Sequence, residues 1–191
     1  ALADSAPLHV IAQHLALGAE AGDVEAVGWL RRAAADAGPR DPATAVDLLR
    51  RALDLQADAA HPLPELRREY VEALAWAGHL DSAEAEAKAA LVVVTDPAEE
   101  TALRLALARC RVLQGNSVGA LHQFELASAG AGLDDRTRAW IAADSATARF
   151  STYALDRTVE EAEVAIRGGE QLDDPALVAA GCSVACRVAT M

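Results

Sequence analysis

Side chains able to do chemistry are few in this chain and mostly scattered. Cys182 and Cys186 stand four residues apart, which puts two thiols on one helical face and could serve half of a metal site. No second ligand pair accompanies them, so both are expected to be buried small apolar residues, with Cys110 in LALARCRVL also in the core. Three cysteines make no disulfide framework and fit a reducing compartment. The five histidines are dispersed: His9 and His14 are five apart, off a common face, and neither HExxH nor CxxC occurs. The paired acids Glu99-Glu100, Asp134-Asp135, Glu160-Glu161 and Asp173-Asp174 are expected at helix starts, where the helix dipole favours negative charge. The chain has no G-x-S-x-G nucleophile elbow and no G-x-x-x-x-G-K-[ST] phosphate loop. No catalytic residue, cofactor or metal ligand is assigned, and the segment is read as non-enzymatic.

Composition points to the elements that must carry any site. Of 191 residues, 47 are alanine, while aromatics make up only 4%. Alanine is the best helix former and lets helix backbones approach closely, so the chain is expected to be all-α. A net charge of −12 and a single lysine, Lys88, argue against direct nucleic-acid binding, which needs clustered cations facing phosphates. The arginine pairs Arg31-Arg32, Arg50-Arg51 and Arg67-Arg68 are read as solvated helix faces. No apolar run is long enough to cross a bilayer and no signal peptide is visible, so a cytoplasmic location is expected.

Helix punctuation is clear. Asp41-Pro42, Asp96-Pro97 and Asp174-Pro175 each place an N-cap acceptor before a first-turn proline. Asp96 with Glu99, and Asp81 with Glu84, have the spacing of a reciprocal cap. Breaks fall at Gly22-Asp23, Gly38-Pro39, Gly78-His79, Gly115-Asn116, Gly130 to Gly132 and Gly168-Gly169. These signals predict helices over 7–20, 24–37, 42–57, 63–78, 81–94, 97–115, 117–129, 134–154 and 157–171, with a tenth from 175 onward. Short loops make successive helices antiparallel neighbours. The Pro-rich stretch 58–64 divides an N-terminal part, 1–57, from a more regular array, 58–191.

A small residue recurs in the same helical setting at a near-constant interval. Ala52, Ala90, Ala127 and Ala165 are 38, 37 and 38 residues apart, counted as 90−52, 127−90 and 165−127. A period in this range marks stacked helical hairpins, whose units bury their apolar faces only against one another. Gly78, Ala83 and Ala90 within GHLDSAEAEAKAAL, and Gly115, Ala120, Phe124 and Ala127 one period later, resemble the turn and second helix of a tetratricopeptide repeat. In the repeat ending at Ala52, Ala45 is kept and Arg40 takes the turn position; in the fourth, Thr158 and Ala154 accompany Ala165. The resemblance implies a right-handed superhelical solenoid of antiparallel helix hairpins.

The first third carries a second resemblance. His14-Leu15, Gly22-Asp23, Leu30-Arg31-Arg32-Ala33-Ala34 and Ala45 to Leu53 follow the order and spacing of the stretch after the ATPase core in large ATP-binding transcriptional regulators of the LuxR family. That resemblance implies an ATP-binding domain upstream, a helix-turn-helix downstream through which DNA would be bound, and a sensing role for the helices between. The chain starts without Met and stops inside CSVACRVATM, so both ends are expected to be cut edges of a longer protein. Expected partners are a protein, a peptide or a small effector; a stand-alone repeat adaptor is the alternative. Self-association is a further expectation, because a severed array exposes an apolar face. Most aromatics, Trp76 among them, are expected in the core; Trp140 and Tyr153, on the long eighth helix, are the candidate groove residues.

Overall fold

The computed structural model describes residues 12, 18–56, 63–130 and 133–191. The predicted helix over 7–20 and most of the Pro-rich stretch lie outside the described residues. Among those described, every regular element is an α-helix: α1 (Val24–Ala37), α2 (Pro42–Gln56), α3 (Pro64–Trp76), α4 (Leu80–Val93), α5 (Pro97–Leu113), α6 (Ser117–Ser128), α7 (Asp135–Phe150), α8 (Leu155–Gln171) and α9 (Pro175–Ala189). Contacts divide the chain into two compact units, Ala1–Val92 and Val93–Met191. Within each, helices pack on their chain neighbours, α1 on α2 and α2 on α3 in the first, and α5 through α9 in order in the second. This is the all-α helical repeat that the alanine period implies.

The caps explain the boundaries. The Asp23 carboxylate accepts from the Ala26 amide at 3.0 Å, Asp41 from Thr44 at 3.1 Å, and Asp96 from Ala98 and Glu99 at 2.7 and 3.1 Å. Asn116, Asp134 and Asp174 cap α6, α7 and α9 in the same way. Each satisfies backbone donors that a first helical turn leaves unpaired. The Thr137 amide bond holds the Asp134 carboxyl below the usual carboxylate range. In contrast, α4 begins at Leu80, which puts Asp81 inside its first turn rather than before it.

All four periodic alanines are buried, with Ala52, Ala127 and Ala165 at 0% exposure and Ala90 at 2%. The residues seven positions earlier, Ala45, Ala83, Ala120 and Thr158, are buried as well. Thr158 keeps its hydroxyl satisfied by donating to the Ala154 carbonyl at 3.0 Å. Around Phe124 of α6, the largest fully buried side chain among the described residues, pack Leu105 and Ala108 of α5 and Ile141 and Ala148 of α7. Ala139 and Ala143 of α7 meet Ala165 of α8 and Leu177 of α9, and Ala146, Ala162 and Val184 extend that core.

The turns repeat with the helices. Gly78 and Gly115 both have left-handed backbone, φ +81 and +76, and close α3 and α5 with matching pairs of bonds. His79 and Asn116 amides reach back to the Leu74 and Arg111 carbonyls at 2.9 and 2.8 Å, the six-residue bond of a Schellman motif. Each glycine lies twelve residues before its alanine. The fourth repeat's equivalent of these glycines is therefore Tyr153, not Ala154, and it adopts the same left-handed conformation with φ 59. A bulky L-residue there costs about 1 kcal/mol that glycine avoids. Because the ring is 75% exposed, its removal gives up little contact. Tyr153→Gly should stabilise the second unit by about 0.5–1 kcal/mol, read as a higher midpoint in a thermal melt; a lowered midpoint would mean that the ring makes stabilising contacts.

Gly168-Gly169, expected as a break, instead lie within α8. A Cβ on Gly168 would come within 2.5 Å of the Ala139 Cβ, and one on Gly169 within 2.8 Å of the Val178 amide nitrogen. The pair lets α8 approach α7 on one side and α9 on the other. The break comes at Asp173, φ 51, where a third Schellman-type turn sends the Asp174 amide back to the Gly169 carbonyl at 2.8 Å.

Candidate functional site

The first unit holds a groove of about 950 Å³ between α1 and α3, floored by α2. Each helix presents one face to it. Gly28, Arg31, Arg32 and Ala35 recur at helical spacing on α1; Pro42, Ala45 and Leu49 do so on α2; Glu69, Glu72, Ala73 and Trp76 do so on α3. The floor, Pro42, Ala45 and Leu49, is apolar, and the small residues Gly28, Ala35 and Ala73 on the walls leave room above it. The volume falls at the upper end of ordinary ligand clefts, roughly 300–1,000 Å³.

Charge within the groove is mostly internally spent. Arg31 crosses from α1 to α3, its Nε and Nη2 donating to the two Glu69 carboxylate oxygens at 2.9 and 2.6 Å. Glu65 accepts a third bond at 3.4 Å. The hydrogen bond to Glu69 raises the affinity of the Arg31 guanidinium for its proton, against partial burial. Glu72 takes both its bonds from Arg68, at 3.1 Å each. The Arg31-Arg32 pair, expected as a solvated face, is thus divided in role: Arg31 is a cross-helix clamp, and Arg32 lies over the Trp29 ring at 4.3 Å. Among the described residues Arg32 makes no ion pair. Stacking occupies the face of a guanidinium and leaves its in-plane donors available for a carboxylate.

Trp76, in the last turn of α3, lines the groove and is 81% exposed. The expectation that it would be core is overturned, because α3 turns its Leu66, Val71 and Leu74 inward and leaves Trp76 on the opposite side of the helix. Its apolar neighbours in sequence could not reveal this, since they lie on other faces of the same helix.

The two residues singled out from the sequence are not brought together. Trp140 is half-buried against the Ala139, Ala143, Ala165 and Leu177 core, and Tyr153 stands in the turn beyond the end of α7. Neither lines the α1–α3 groove. A smaller cleft of about 340 Å³ between α7 and α8 is lined by Arg138 and Arg167, whose guanidinia serve the Leu133 carbonyl and Glu163.

Most of the remaining sequence candidates serve as helix caps or in ion pairs. Glu99-Glu100 open α5, and Asp134-Asp135 open α7, as the dipole argument expects. Glu160-Glu161 do not: they lie inside α8, where Glu161 receives a bidentate bond from Arg149 of α7 at 2.9 and 2.9 Å. Asp174 caps α9 and sits 3.2 Å from Arg136. Cys110 is buried as expected, but Cys182 and Cys186 are both exposed, contrary to expectation. Among the described residues, no three or more His, Cys, Asp and Glu side chains are grouped to hold a metal ion, and no helix is long and apolar enough to cross a membrane. No protein-family model and no curated protein matches the chain.

Proposed function

We propose that the chain is a non-catalytic helical-repeat binding segment whose α1–α3 groove takes an apolar, acidic stretch of a partner protein. The observation that carries this is the groove's pairing of an apolar floor with two recognition groups open to a partner, the exposed Trp76 indole and the in-plane donors of the Arg32 guanidinium stacked on Trp29. An exposed tryptophan beside a concave apolar surface is the residue type that dominates binding energies at interfaces. Arg32 supplies the one lining charge without an ionic partner among the described residues, so a carboxylate on the incoming segment complements it. The shape suits an amphipathic helix laid along the groove.

The order of residues from His14 to Leu53, which resembles that of LuxR-family ATP-binding regulators, supports placing this segment in the sensing region of such a protein. Bound partner would then bias one of two conformations, as coupling between sites requires. A stand-alone adaptor is the alternative, and the gene sequence on either side separates the two by the presence or absence of a phosphate-binding loop upstream and a helix-turn-helix downstream.

The groove is tested with two fluorescein-labelled amphipathic helical peptides that share one leucine stripe and carry Glu or Lys along its flank. The Glu peptide should bind more tightly, Trp76→Ala should weaken it at least tenfold, and Arg32→Glu should reverse the preference. Equal binding to wild type and Trp76→Ala would remove the groove from the reading.

A further inference from the structure

The exposure of Cys182 and Cys186 opens chemistry that burial would have closed. Both are free thiols on α9, one turn apart, and both reach solvent. Residues four apart on a helix are surface neighbours with Cβ atoms about 6 Å apart. A disulfide needs Cβ atoms roughly 3.5–4.5 Å apart, so this pair cannot close an S–S bond without distorting the helix. A single larger atom can bridge it, because each thiol swings about its own Cα–Cβ bond toward the other.

The surroundings narrow the class of that atom. Tetrahedral zinc asks for four protein ligands, and hard cations ask for oxygen cages. Among the described residues no third His, Cys, Asp or Glu joins the two sulfurs in a metal-holding group. Two soft donors alone suit a thiophilic centre whose remaining bond is already made, as in a monosubstituted trivalent arsenical, where carbon holds one of the three arsenic bonds and two positions exchange with thiols. We infer that Cys182 and Cys186 form a dithiol site for a monosubstituted trivalent arsenical, independent of the α1–α3 groove.

Phenylarsine oxide is the direct probe. Two S–H bonds break and two As–S bonds form; the oxide oxygen leaves as water with both thiol protons, and arsenic stays trivalent throughout. Intact-mass measurement on the native chain should show one phenylarsenic group per molecule, with fragment masses placing it on the segment that holds both cysteines. The adduct should survive millimolar glutathione and be released by a small dithiol. Cys182→Ser and Cys186→Ser should each weaken loading by at least roughly 100-fold, because the second bond is made at high effective concentration. A spacing control moves one thiol: Cys186→Ser combined with Ala189→Cys sets the two thiols seven residues, about 10 Å, apart along the helix, beyond the reach of one bridging atom, and should load at least about tenfold more weakly than wild type. Undiminished loading in either single variant, two arsenic groups per chain, or wild-type affinity in the spacing control would overturn the site.

Discussion

Phe124→Ala should be the most damaging single truncation in the second unit, costing about 4 kcal/mol. The ring is 1% exposed and is held between α5 and α7 by Leu105, Ala108, Ile141 and Ala148. Removing a buried phenylalanine loses its transfer free energy and leaves a cavity that packed neighbours fill only in part, typically about 3–5 kcal/mol in total. Four of the six buried neighbours in that core, Ala108, Ala120, Ala127 and Ala148, are alanines, which have no side chain to extend into the space. Domains of this size are stable by roughly 5–15 kcal/mol, so the variant should remain folded only near room temperature, with a melting midpoint lowered by roughly 20 °C. A fall of only a few degrees would show that Phe124 is not the packing centre of α5, α6 and α7.

A second large effect has opposite signs at two glycines. Alanine is the better helix former by about 1 kcal/mol, so Gly→Ala inside a helix is stabilising wherever the methyl group has room. At Gly28 of α1 the nearest atom to a new Cβ is an Arg32 nitrogen at 3.9 Å, an ordinary contact. At Gly181 of α9 the new Cβ would lie 2.8 Å from the Ala162 carbonyl oxygen and 2.7 Å from the Ile166 Cγ1. The carbonyl belongs to the α8 backbone and cannot turn aside, so α9 must move away from α8. Overpacking of that kind costs typically about 1–3 kcal/mol. Gly28→Ala should therefore raise stability by up to about 1 kcal/mol, and Gly181→Ala should lower it by about 2 kcal/mol. Paired chemical denaturation curves check both. Stabilisation by Gly181→Ala would contradict the close α8–α9 approach.

How far the chain could be read follows from what each signal depends on. Helix boundaries depend on local chemistry, and they were legible: Asp23, Asp96 and Asp174 cap within hydrogen-bonding distance, and α1 spans the predicted 24–37. The alanine period was legible because a small residue at a helix crossing is fixed by the distance between backbones. Tyr153 was the turn residue all along: the offset of twelve residues from Gly78 to Ala90 and from Gly115 to Ala127 leads from Ala165 back to it. A tyrosine does not have the composition of a turn residue, so only the spacing points to it. Gly168 and Gly169 misled for the converse reason, since glycine also marks close helix approach and the sequence does not say which use applies.

Exposure was the least legible property. Trp76, Cys182 and Cys186 sit in helices where apolar residues surround them in sequence, yet which helix face is covered depends on tertiary neighbours. The α1–α3 groove has the same origin. It is built from Arg31, Leu49 and Glu69, residues spread over three helices, and no local motif announces their meeting. What the sequence did supply there was the Arg31-Arg32 pair, whose division into a clamp to Glu69 and a guanidinium stacked on Trp29 without an ionic partner is set by the tertiary neighbours of α1.

The most direct measurement is on Trp76 itself. In a chain carrying Trp29→Phe and Trp140→Phe, every tryptophan signal comes from Trp76, and the phenylalanine at position 29 keeps an aromatic face for Arg32. The free chain should show water-exposed emission and strong acrylamide quenching, and saturating Glu-flanked amphipathic peptide should shift the emission to the blue and protect the indole. An indole already shielded in the free chain, or one equally quenched with and without peptide, would contradict a binding groove between α1 and α3.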